Sequence, residues 1–207
     1  MIPLPEYVKI KDNYCIVYFG NCKEYIVQLR LLRPIMEKTF AGLQVYLACK
    51  DEYMYLLNNE SKTLSASSLK TQKQKFAYIR EIYTEINKHP VEELMLESEI
   101  TFQPICNNII HPELIKGSCL LLTTANLPTR SLNANQITHA LDYIRKQGCQ
   151  AHFNKKIDDF DWVVGVENEN LYEAASQGKK VTLIPTGFGE NLFKKMFPAS
   201  GILRIPA

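Results

Sequence analysis

The sequence predicts an α/β protein of two small lobes, each a parallel sheet flanked by helices. Two observations carry this: β-rich apolar runs alternate with segments of helical period, and a β-α-β unit recurs in both halves of the chain. The clearest case is DWVVGVENENLYEAASQGKKVTLIP, Asp161 to Pro185. Trp162 to Val166 is an apolar, β-rich run with Gly165 near its end, and Val181 to Ile184 is a second one closed by Pro185. Between them Leu171, Ala174 and Ala175 form one helical face, and Gly178 stands where a helix C-cap takes a positive φ. In an open parallel sheet, ligands gather beyond the carboxyl ends of the strands, and Glu167, Asn168, Glu169 and Asn170 fall at that position.

The other elements follow in order. Tyr14 to Phe19 reads as a strand ending at Gly20, and Tyr25, Leu29, Leu32 and Met36 recur at helical spacing, with Pro34 expected to kink or end that helix. Leu43 to Cys49 is a second buried-type strand, followed by Asp51 as the N-cap of a short segment. Asn58 to Lys75 is polar and reads as a surface loop, with lysines 70, 73 and 75 forming the wet face of a helix start. A helix should follow, carrying Phe76, Ile79, Tyr83 and Ile86 on one face and ending at His89-Pro90. Val91 to Lys116 mixes apolar residues with glutamates and two prolines. A hinge at Pro112 would give lobes 1–112 and 113–207. Past it, Cys119 to Thr123 is a strand and Asn126 to Ser131 a loop. Asn133 and Gln136 form a capping box for a helix with Ile137, Ala140, Leu141 and Ile144 on its buried face, ended by Gly148. Gln150 to Phe153 is a short strand. The chain closes with the turn Thr186-Gly187-Phe188-Gly189 and a helix from Glu190 to Phe197.

Composition narrows the function classes. With 207 residues, 46% of them hydrophobic, the chain can bury a real core. Lysine plus arginine exceed aspartate plus glutamate by only 24 to 22, so charge points to no nucleic-acid partner and no acidic membrane surface. No apolar run approaches the ~18 residues of a membrane span, and the first residues lack the layout of a signal peptide, so a cytoplasmic location is expected. The cysteines are scattered without a C-x-x-C pair and read as reduced, packed thiols. The histidines 89, 111, 139 and 152 are dispersed, with no two at i, i+4, so no zinc site is expected.

A helix start offers unpaired N–H groups and a positive dipole end, which suit a diphosphate, and a carboxylate one turn further in can bond a ribose diol. Glu173 is that carboxylate, although a capped helix with a solvated Glu173 explains the spacing equally well. Gly187 and Gly189 lead into the last helix and form either a second anion nest or a simple connector.

The segment D-x-V-V-G-V-E-x-x-x-L-Y-E-A-A-x-x-G-K-x-V-x-L-I-P resembles the donor-binding segment of GT-B-fold glycosyltransferases. The resemblance implies a nucleotide-sugar substrate. Its diphosphate would lie against Gly165 to Asn170 and its ribose on Glu173. Glu167-Asn168 stands where a Ser-Gly pair is usual and Lys180 where a proline is, and a carboxylate at the first of these positions repels a diphosphate. At the other end, F-G-N-C-K-E-Y-I-V-Q-L-R-L-L-R-P-I resembles the first turn and helix of the heptosyltransferase-like branch, in which an acidic residue serves as general base. Glu24 would take that role here, and Arg130 would supply the cation for phosphate. The resemblance thus implies a pared-down, metal-independent glycosyltransferase with no cofactor. It would bind its donor between the lobes and transfer the sugar to an acceptor such as a glycan or a lipid-linked glycan.

Two alternatives remain at this level. One is a nucleoside-processing enzyme similar to deoxyribosyltransferases, with Glu167 as nucleophile on a single sheet shared with Glu24. The other is a non-catalytic nucleotide-binding or assembly protein of the same fold.

Overall fold

A computed structural model describes residues 15–39, 44–57, 60–72, 78–82, 89–97, 100, 104–105, 117–126, 128–187 and 189–205. The chain divides into two compact units, 1–103 and 104–207. Pro112 lies outside the described residues.

The first unit is built on a four-stranded parallel sheet in the order β3-β2-β1-β4, from β1 (Cys15–Gly20), β2 (Gln44–Cys49), β3 (Thr63–Ser65) and β4 (Tyr78–Ile82). Helix α1 (Lys23–Thr39) connects β1 to β2 and buries Ile26, Leu29, Leu32 and Met36. Pro34 neither ends nor interrupts it. The ring lies on the exposed side of the helix, where a missing N–H costs least because water can bond the freed carbonyl.

Other expectations fail in this unit as well. The polar stretch 58–75 contains β3 and the helix α2 (Ala66–Gln72). Asp51 opens a 3₁₀ turn and caps a different element: its carboxylate accepts from the Ser67 N–H (3.2 Å) and hydroxyl (2.6 Å). These bonds hold its carboxyl below the usual range, the Ser67 hydroxyl contributing most. The helix expected over 76–86 is instead β4, where parallel pairing with β1 across Ile16–Gly20 overrides the helical spacing of the apolar residues. Phe76, Tyr83 and Ile86 lie outside the described residues. His89-Pro90 begins a helix, α3 (Pro90–Glu97), because proline at the first helical position loses no hydrogen bond.

The second unit carries a five-stranded parallel sheet, β6-β5-β7-β8-β9, from β5 (Ser118–Leu122), β6 (Gln150–His152), β7 (Trp162–Gly165), β8 (Lys180–Leu183) and β9 (Gly201–Ile202). Its helices are α4 (Ala134–Lys146), α5 (Glu169–Ser176) and α6 (Glu190–Met196). Alternation along the strands sends Cys119, Leu121, Trp162 and Val164 into one core with Ala140 and Ile144 of α4. Tyr172 meets the Phe193 ring edge-on, and Phe197 packs at a tilt against both, among the buried residues of α5 and α6.

The caps read from sequence are present. Asn133 and Gln136 exchange side-chain and backbone bonds at the start of α4. Gly148 and Gly178 take positive φ (+76° each) just past α4 and α5. In both, two N–H groups beyond the helix return to its last carbonyls: Gly148 and Cys149 to Arg145 and Ile144, Gly178 and Lys179 to Ala175 and Ala174.

Candidate functional site

Strand order locates the candidate sites before any side chain is considered. In the second unit the chain steps outward from β5 to β6, then crosses back to β7 and onward to β8 and β9. The order reverses between β5 and β7, and the crevice beyond their carboxyl ends is where doubly wound sheets bind ligands. In the first unit the corresponding reversal lies between β1 and β4.

Beyond β5 and β7 three of the expected residues meet. Glu167 is 3% exposed; its carboxylate pairs with the Arg130 guanidinium and accepts from the Tyr172 hydroxyl at 2.5 Å. Arg130 is set by the 3₁₀ turn Pro128–Arg130, and its carbonyl accepts from the Thr186 hydroxyl at 2.6 Å. Asn168 is the N-cap of α5: its side chain accepts from the Leu171 N–H (3.0 Å) and donates to the Thr124 carbonyl (2.9 Å), tying the β5 loop to the β7 loop.

The glycines explain how backbone comes so close. At Gly165 a Cβ would lie 2.5 Å from Leu122 Cβ and carbonyl oxygen, so only glycine lets β7 pass β5 there. At Gly187 a Cβ would lie 2.7 Å from Arg130 Nε, and at Gly189 it would overlap the Glu167 carboxylate. The turn between β8 and α6 is therefore glycine-containing because it runs against the ion pair. Asn170 is exposed in the first turn of α5, and Glu173 is half-buried one turn further along.

In the first unit Glu24, 1% exposed, sits in the first turn of α1 just past β1. The Gln28 amide donates to Glu24 Oε1 at 3.4 Å and lies 3.3 Å from His89 Nε2, which is itself 3.6 Å from Glu24 Oε1. His89 is placed by the start of α3, where Nδ1 accepts from the Glu92 N–H (3.4 Å), and its ring meets Tyr25 edge-on at 5.7 Å between centroids.

His89, Gln28, Tyr172 and Thr186 join these groups without being expected there. Nothing in spacing links His89 to Gln28, which are 61 residues apart. Tyr172 carried one usable signal: a tyrosine on the apolar side of a helix needs a partner for its hydroxyl, and Glu167 is one turn and a half away.

No family model matches the sequence, and no curated protein does. Solved structures of similar fold do exist. One is the bacterial iron-containing dodecameric glycosyltransferase TibC from enterotoxigenic E. coli (TM-score 0.59, 10% identity, 94% of this chain and 63% of that one). Another is a glycosyl transferase of family 9 from Veillonella parvula (TM-score 0.53, 7% identity, 95% of this chain and 88% of that one). A third is TibC as a heptosyltransferase in complex with ADP-D-β-D-heptose (TM-score 0.57, 10% identity, 94% of this chain and 62% of that one). The chain therefore has the α/β fold of these glycosyltransferases and spans 63% of the length of TibC. Among the described residues no helix is long and apolar enough to cross a membrane.

Proposed function

We propose that this protein is a glycosyltransferase whose second unit, within 113–207, holds a nucleotide-sugar and whose first unit, within 1–112, supplies the base for an acceptor hydroxyl. The observation that carries the reading is the convergence of Arg130, Glu167 and Asn168 at the strand-order reversal of the second sheet. The glycosyltransferase fold supports it. In this reading Gly165 to Asn170, Gly187 and Gly189 line the donor, Glu173 meets the ribose, and Arg130 with the α5 dipole neutralises the departing phosphate without a metal. Glu24 takes the acceptor proton as the acceptor oxygen attacks the anomeric carbon and the bond to phosphate breaks. The acceptor supplies a hydroxyl, as a glycan or a lipid-linked glycan would, and the reaction runs in the cytoplasm.

The two sheets are separate, which removes the single shared sheet that the deoxyribosyltransferase-like alternative favours. Glu167 is also buried, with one oxygen on Tyr172 and the other on Arg130, and so is poorly placed to attack a sugar. The decisive test begins with ADP-linked heptose, the ligand of the TibC complex, alongside other nucleotide-sugars in a thermal-shift screen. A ligand at 100 times its Kd stabilises by about 2.7 kcal/mol. Stabilisation by one donor, followed by its turnover with candidate acceptors, supports the reading. Donor binding with no turnover favours the non-catalytic alternative, and no binding by any nucleotide overturns both.

A further inference from the structure

Arg130 is the cation expected to meet the donor phosphate, yet its guanidinium is already paired with an internal carboxylate. We infer that Glu167 is a built-in competitor for the phosphate position. An anion then reaches Arg130 only by exchange with Glu167, which makes Glu167 a specificity determinant against small free phosphates. The inference rests on the reading of this crevice as the donor site.

Three features make the pair a constructed one. Both side chains are largely withdrawn from solvent, Arg130 at 14% exposure and Glu167 at 4%, so water screens their attraction weakly. The carboxylate is aimed by a second group, the buried Tyr172 hydroxyl, while the Arg130 backbone is held by Thr186. The turn above it has glycine at both positions where a Cβ would strike the pair, at Arg130 for Gly187 and at Glu167 for Gly189.

The consequence is selective. Inorganic phosphate or pyrophosphate brings only charge, and must repel Glu167 and break its pair with nothing else to offset that cost. A nucleotide-sugar adds base, ribose and sugar contacts, which can carry the exchange. After exchange Glu167 keeps the Tyr172 hydroxyl, which offsets part of the cost of losing its cation.

The test measures inorganic pyrophosphate binding by calorimetry. The parent protein should bind weakly, and Glu167→Gln should bind at least tenfold more tightly. The gain should vanish when Arg130→Gln is added to Glu167→Gln. Gly189→Ala keeps both charges but drives the carboxylate off Arg130, so it should also raise pyrophosphate affinity; it serves if Glu167→Gln does not fold. No gain in either folded variant overturns the inference, as does a gain that survives loss of Arg130. The outcome separates from that of the donor reading. A pyrophosphate gain without binding of any nucleotide-sugar leaves the exchange standing and removes the donor, and the reverse pattern does the opposite.

Discussion

Both units place a buried glutamate just beyond a strand that borders the strand-order reversal, Glu24 after the first strand of its unit and Glu167 after the strand across the reversal, and surround it differently. Glu167 meets a guanidinium, which is always charged, and a tyrosine hydroxyl. Glu24 meets a glutamine amide and the imidazole of His89, a group able to carry or give up a proton. One site is built to hold a charge in place. The other is built from groups that can pass a proton, which is what a base for an acceptor hydroxyl needs. A place beside the reversal therefore does not fix the chemistry; the partners do.

The comparison breaks first at Glu24. Glu24→Gln should lower sugar transfer by ~10²–10⁴ while leaving donor affinity unchanged, since amide and carboxylate have the same shape. Single-turnover rates and calorimetry on the same preparation check this. Transfer at the parent rate would put Glu24 in the same structural category as a helix-start carboxylate.

Arg130→Ala strikes the other side. It leaves Glu167 buried without its cation, and breaking such a pair from one side costs about 3–5 kcal/mol. Urea denaturation should show that loss, with a smaller one when Glu167→Gln is added to remove the stranded charge. Equal stability of the single and double variants would mean the pair is not the constraint that Gly187 and Gly189 imply.

How much of this was legible in the sequence depends on distance along the chain. The β7-α5-β8 unit was readable because every signal is local: an apolar run, the asparagines at the helix start, of which Asn168 is the cap, and Gly178 lie within twenty residues and agree. The same holds for the Asn133–Gln136 box. Phe76, Ile79, Tyr83 and Ile86 misled because their helical spacing is local, whereas the pairing of Tyr78–Ile82 with β1 is not. The site splits the same way. Glu24 and Glu167 could be placed at strand ends, but the partners that define them come from elsewhere: Arg130 lies 37 residues from Glu167, and Gln28 lies 61 from His89. Only the crossovers of the sheet bring them together.

A smaller effect sharpens the comparison inside the second unit. The Lys179 ammonium donates to the carbonyls of Ile157 (3.0 Å) and Phe160 (2.8 Å), closing the turn that leads into β7. Lys179→Met keeps the stem and removes the charged donor. It should cost about 1.5–3 kcal/mol, the scale of hydrogen bonds to a charged group, without moving donor affinity. A matched fall in affinity would mean that the β7 end is positioned by this turn as well as by Asn168.

The smallest effect compares one thiol from each sheet. Burial, with a lesser contribution from Asp51, pushes the Cys49 thiol of β2 up to about 11, and burial pushes Cys119 of β5 up to about 12. An unfolded thiol loses its proton near 9.0, while these folded ones keep theirs, so stability is complete below that pH and falls as pH rises toward 11 and 12. At pH 10 the loss is about 1.4 kcal/mol per thiol. Timed alkylation at pH 8.5 with peptide mass spectrometry gives the cleaner readout, because the thiolate is the reacting form. The half-buried Cys22 and Cys149 should label first, with Cys49 and Cys119 labelling only as each unit unfolds. Early labelling of Cys49 alone would mean that the first sheet opens more readily than the second. The unit that holds Glu24 would then be the less stable of the two.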